Sequence, residues 1–117
     1  MRRRTGSAGA GDLLGGTLDL LILRTLQAGP AHGLFIAECI ERRSEDVLLV
    51  EQGSLYPALH RLEDRRWIES YWGVSDTNRR AKFYRLTRAG RRQLAAETSR
   101  WDALARAVGR VLQPGRG

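Results

Sequence analysis

The chain has 117 residues, 42% of them hydrophobic, so it is one domain of ordinary size with material for a core, and wholesale disorder is excluded. Its formal net charge is +7 and its isoelectric point about 10.9, a balance that favours a polyanionic partner. Lys82 is the only lysine, so the positive charge is carried almost wholly by Arg, which suits bidentate contacts to phosphate and guanine.

Met1-Arg2-Arg3-Arg4 opens a stretch rich in Gly, Ala and Ser that reaches Gly16. It lacks the continuous apolar segment of a secretory signal and reads as a flexible basic arm over 1–15. Such an arm is either an inert tail or an extra phosphate contact. Thr17 suits the cap of a first helix running to about Leu26, with Asp19 in its first turn. Leu18, Leu20, Leu21, Ile22, Leu23 and Leu26 surround that helix, whereas a monomer's surface helix shows one apolar stripe. It is therefore expected between its own domain and a second subunit, with Leu18, Leu21 and Ile22 at the interface; the alternative is deep burial within a single chain.

Ala28-Gly29-Pro30 interrupts the pattern. A second helix is expected from about His32 to Arg43, with Ile36, Cys39 and Ile40 inward. Cys39 is the sole cysteine, which rules out an intrachain disulfide and a Cys-based zinc site. Val47-Leu48-Leu49-Val50 is too short to classify and fits a small strand or a linker.

Leu55, Leu59 and Leu62 form the core stripe of a third helix. Pro57 is tolerated only early in a helix, so the start is expected near Gly53 or Ser54. The N-terminal end, with its unpaired N–H groups, then presents Gln52, Ser54 and Tyr56 to an anion. His60 and Arg61 continue the outward face. Two strands follow, Trp67 to Trp72 and about Arg79 to Leu86, around a polar turn from Gly73 to Asn78. Ile68, Tyr84 and Leu86 are expected inward, and Arg79, Arg80 and Lys82 at or near the tip.

A last helix is expected from Thr87 to about Leu112, stopped by Pro114-Gly115. Leu94, Trp101 and Val108 recur every seven residues, as do Leu104 and Val111, which makes an a/d seam over two heptads. A helix of this length, roughly 35–40 Å, projects beyond so small a core. The seam is expected to bind a second copy of the chain, with the first helix helping, because an apolar stripe is costly to leave in water; packing within the chain is the alternative.

Enzyme chemistry finds no support. His32 and His60 are the only histidines and lack metal-ligand spacing. Gly9-Ala10-Gly11 lacks the third glycine of a dinucleotide fingerprint. No phosphate loop is present, and Glu41, Glu45 and Glu51 read as solvated charges. No catalytic residue, metal or cofactor is expected. No apolar run is long enough to span a membrane, and a reducing cytoplasm is the expected location.

A recognition-type helix followed by an aromatic, basic hairpin is the anatomy of a winged helix-turn-helix. The run Gly53-Ser54-Leu55-Tyr56-Pro57-Ala58-Leu59-His60-Arg61-Leu62-Glu63, the pair Trp72-Gly73, Ser75, and Asn78-Arg79-Arg80-Ala81-Lys82 with Tyr84, Leu86 and Thr87 resemble the PadR family of transcriptional regulators. The resemblance covers roughly Gly16 to Leu112. It departs at Leu34-Phe35, where many members carry a tyrosine after His-Gly, and at Arg66, where a glycine commonly ends the recognition helix.

The expected fold is mostly α with a small β-wing: an arm over 1–15, a winged helix-turn-helix over 16–87, and a dimerisation helix and tail over 88–117. The resemblance implies a homodimeric, sequence-specific DNA-binding repressor acting on double-stranded, pseudo-palindromic operators. It implies DNA contacts from Gln52, Ser54, Tyr56, His60, Arg61, Arg79, Arg80 and Lys82. The interface picks are Leu18, Leu21, Ile22, Leu94, Trp101, Leu104, Val108 and Val111. Some family members release DNA on binding a small planar effector, which Trp101 could stack; plain interface packing is its other reading. Two alternatives are a protein-interaction adaptor, which has no need of the charged wing, and a nonspecific architectural DNA binder, which competition with unrelated DNA would reveal.

Overall fold

The computed structural model describes residues 16–115; the expected N-terminal arm lies outside them. In chain order come helix α1 (16–27), strand β1 (Ala31–His32), helices α2 (Gly33–Arg43) and α3 (Gln52–Asp64), strands β2 (Ile68–Val74) and β3 (Arg80–Leu86), and helix α4 (Arg88–Leu112). The strands form one antiparallel sheet in the order β1-β3-β2.

The core lies where α1, α2, α3 and the base of the sheet meet. It contains Leu23 and Leu26 of α1, Ile36 and Ile40 of α2, Leu55, Leu59 and Leu62 of α3, and Ile68, Tyr84 and Leu86 of the hairpin. Each large aliphatic side chain withdrawn there contributes about 1.5–3 kcal/mol. Leu18, Ile22 and Leu94 also belong to this core, and Ile22 is wholly buried. The seven-residue spacing and crowded apolar surface suggested a subunit interface for these three. The chain's own packing consumes them instead, leaving Leu21 half-buried at the rim.

Several boundaries differ from expectation for local reasons. Helix α1 is already formed at residue 16, so Thr17 lies inside it and is not its cap. Helix α2 starts at Gly33 because His32 caps it, its Nδ1 accepting the Phe35 N–H at 3.2 Å. His32 also ends β1, whose two residues pair with Phe83 and Tyr84 and carry no readable periodicity. Cys39 is only half-buried at the edge of α2, and Ala37 takes the inward place. Residues 47–50 are linker. The Ser44 hydroxyl accepts the Leu48 N–H at 3.0 Å and the Glu41 carboxylate accepts the Val50 N–H at 2.8 Å, so side chains take the place of a strand ladder. Glu41 is thus structural and not simply solvated.

Helix α3 begins at Gln52, ahead of the expected start, which leaves Pro57 exposed in the second turn. It ends on Arg66, whose φ of 62° is left-handed. The Trp67 N–H reaches the Leu62 carbonyl at 3.1 Å and the Arg66 N–H the Glu63 carbonyl at 2.9 Å, the paired bonds of a Schellman cap. Strand β2 continues through Gly73-Val74, so the wing turn shortens to Ser75–Arg79. Gly73 is required there: a Cβ would lie 2.9 Å from the Phe83 ring. The turn closes with the Ser75 N–H on the Arg79 carbonyl at 2.8 Å, and Asn78 takes the left-handed position.

One hydroxyl joins the hairpin to the last helix. Thr87 Oγ1 donates to the Arg66 carbonyl at 2.7 Å and accepts the Gly90 N–H at 3.0 Å, capping α4. Beyond Leu94, no residue of α4 is buried.

Candidate nucleic-acid interface

Helix α3 is held to the core by one buried face, and that face sets what it offers outward. At about 100° per residue, the buried residues Leu55, Ala58, Leu59 and Leu62 define one face, and Gly53, Pro57 and His60 stand opposite. Gln52 and Tyr56 fall on one flank, Ser54 and Arg61 on the other. Gln52, Ser54, Tyr56 and His60 are all exposed. Glu51 is the N-cap and makes no side-chain cap bond, so no cap side chain occupies the N–H groups at this end. Ser54 is in the first turn and is not the cap.

The two flanks have different neighbours. Tyr56 lies against α2: a Cβ on Gly33 would come within 2.9 Å of the Tyr56 hydroxyl. Glycine at 33 therefore lets the ring settle while the residue stays partly exposed. Arg61 instead donates to Asp19 of α1 at 2.9 Å. The sequence offered Arg61 as a DNA contact and Asp19 as a helix-dipole charge; the fold pairs them with each other, which leaves Arg61 less free for an outside anion.

The wing stands beside the Tyr56 flank. Even-numbered positions of the hairpin share one face, buried at Ile68, Tyr84 and Leu86 and running outward to Trp72, Lys82 and Arg80. A cleft of about 570 Å³ separates this face from the start of α2, with Leu34, Tyr56, Trp72, Arg80 and Lys82 among its walls. Glu38 and Asp76 also line it. Arg79 and Arg80 sit at the tip as expected, but Lys82 lies farther in, opposite Trp72, with its ammonium 5.9 Å from the Tyr84 ring. Burial first, and then the nearby Glu63 carboxylate, push the Tyr84 phenol above the ordinary tyrosine range.

The opposite face of the hairpin is self-contained. Tyr71 and Phe83 stack at 5.8 Å, and the His32 ring meets Phe83 edge-on at 5.4 Å. Arg85 bonds Glu69 at 2.8 Å and lies over Tyr71. Among the described residues Arg79, Arg80 and Lys82 make no ion pair, so the uncompensated charge of the wing is gathered at its outer end. Trp72, which the sequence reading did not single out as a site residue, lines the cleft with Arg80 and Lys82. Strand alternation, which puts it on the face of Lys82 and Arg80, is the signal that could have found it.

A three-helix core with an anion-ready helix end and a basic antiparallel hairpin beside it defines a winged helix-turn-helix protein of the DNA-binding class. The chain belongs to the transcriptional regulator PadR-like family, whose model matches residues 22–96. Members of this family are transcriptional regulators and not enzymes, so the function is DNA-binding control of transcription. The chain is 34% identical over 91 residues to "Uncharacterized protein X" of Lysinibacillus sphaericus, covering 77% of this chain and 83% of that protein. A transcriptional regulator from Clostridium thermocellum superposes with a TM-score of 0.79 at 26% identity, over 87% of this chain and 99% of the other. A PadR family regulator from Eggerthella lenta gives 0.74 at 30% identity, over 89% and 88%. No described helix is long and apolar enough to cross a membrane, and no group of three or more described His, Cys, Asp or Glu residues could hold a metal ion.

Proposed function

We propose that the protein is a homodimeric, sequence-specific repressor that works in the cytoplasm. The observation that carries the dimer is the exposed stripe on α4. Trp101, Leu104, Val108 and Val111 follow a three-four-three spacing on a helix that buries nothing past Leu94, and Val111 is 82% exposed. A stripe of this kind on a basic domain is covered most economically by its own two-fold copy. Leu21, half-buried on α1, is the one first-helix pick that remains partly exposed for this contact. Residues 16–87 then form the DNA-binding unit and 88–117 the dimerisation unit.

In the proposed complex, α3 enters the major groove through Gln52, Ser54, Tyr56 and His60, and Arg79, Arg80 and Lys82 hold the adjacent backbone. Trp101 is 44% exposed on the α4 seam and offers a flat surface to a planar effector.

Selection of bound fragments from the source genome, followed by footprinting, tests this reading. The expected operator is a pseudo-palindrome with half-site centres about one helical turn, ~10–10.5 bp, apart. In transcription from a template bearing that operator, added protein should lower the yield. An operator without a dyad would count against the dimer, and activation would overturn the assignment as repressor.

A further inference from the structure

We infer that Trp72 is a positioning residue for DNA binding: its indole holds the Arg80 guanidinium in the geometry with which the wing meets the duplex. The inference rests on the DNA-binding reading above. The Arg80 guanidinium carbon lies 4.5 Å from the Trp72 ring centroid, well inside cation–π range. Trp72 pairs with Lys82 and Arg80 with Val74, so Trp72 and Arg80 are diagonal neighbours on one hairpin face, fixed by the ladder between them. Trp72 is 60% exposed, so the core does not account for its place.

Arg85 is held differently. Arg85 also lies over an aromatic ring, but Glu69 occupies its guanidinium. Arg80 has a ring and, among the described residues, no carboxylate partner. Stacking engages the flat face of a guanidinium and leaves its edge N–H groups free for phosphate or base-edge oxygens. An Arg80 held over the indole loses part of its rotamer freedom before binding, so less is lost when DNA arrives.

The test is a double-mutant cycle on the full chain, with a labelled mixed-sequence duplex of about three helical turns, ~30 bp, as probe. Trp72→Ala should weaken binding about two- to fivefold, the range an exposed cation–π contact supports. In an Arg80→Ala background it should cost nothing further. Trp72→Tyr keeps a ring under Arg80 and should recover most of the affinity; it also serves as the working variant if Trp72→Ala folds poorly. A second arm needs no DNA: the Arg80 side-chain N–H resonance should be shifted upfield by the indole ring current and return on replacing Trp72 with Leu. An undiminished Trp72→Ala effect without Arg80 would mean that Trp72 touches DNA itself, and would overturn the inference, as would no effect in either background. Absence of DNA binding by the wild type would instead remove the DNA reading on which the inference stands.

Discussion

Arg66 occupies a backbone position made for glycine. Its φ of 62° costs a Cβ-bearing residue roughly 1 kcal/mol, yet both bonds of the Schellman cap depend on it. Arg66→Gly should therefore stabilise the fold by about 0.5–1 kcal/mol, less than the full strain because glycine also loosens the unfolded chain. Urea unfolding at fixed protein concentration would show it as a higher midpoint with unchanged slope. Two glycines should respond in opposite directions to alanine. A Cβ at Gly90 would sit 2.0 Å from the Trp67 carbonyl oxygen, against backbone that the Thr87 bonds hold in place. Gly90→Ala should cost about 2–3 kcal/mol. Gly109 meets nothing within 4 Å on an exposed helix, so Gly109→Ala should add about 0.5–1 kcal/mol of stability. Similar midpoint shifts for the two, in thermal melts followed by circular dichroism, would mean that the α3–α4 junction is looser than its geometry implies.

The elements divide by how local their causes are. The stripe Leu55-Leu59-Leu62, the inward alternation of Ile68, Tyr84 and Leu86, and the Thr87 start of α4 are written in short sequence windows, and all were legible. The two-residue β1 was not, because Ala31-His32 becomes a strand only once β3 is beside it. The partition of Arg61 from Arg80 was equally hidden: both are helix or hairpin arginines, and only the fold brings Asp19 to one of them. Leu94 misled because a heptad position and a core position share the same spacing. The resulting division of labour between wing and helix is testable. Each lost phosphate contact releases fewer counterions, so Arg80→Ala should weaken specific and nonspecific DNA alike and lower the slope of log affinity against log salt by about one. Gln52→Ala, at the open end of α3, should narrow the preference for operator over random DNA while leaving that slope in place. Isotherms at several salt concentrations on both duplexes separate the two; an unchanged slope and affinity for Arg80→Ala would reduce the wing to a solvated hairpin and favour the adaptor reading.

At the scale of the molecule, the decisive quantity is what covers α4. The helix has 25 residues, about 37 Å of rise, and only its first two turns are tied into the core through Gly90 and Leu94. Past them it carries a large aromatic and several branched residues into water, in a chain whose net charge of +7 already works against self-association. The proposed association would therefore have to come from apolar contact, which makes it sensitive to charge placed in the seam. Leu104→Glu combined with Val108→Glu should convert a dimer into a monomer in light scattering at micromolar concentration, with the winged domain still folded by circular dichroism, since neither side chain belongs to its core. The same variant should bind a single half-site as the wild type does and lose its advantage on the full operator, because linking two recognition helices multiplies affinity without any new contact to DNA. A wild type that scatters as a monomer, or a charged variant that keeps full-operator affinity, would leave the stripe to a different partner and each winged domain reading DNA alone.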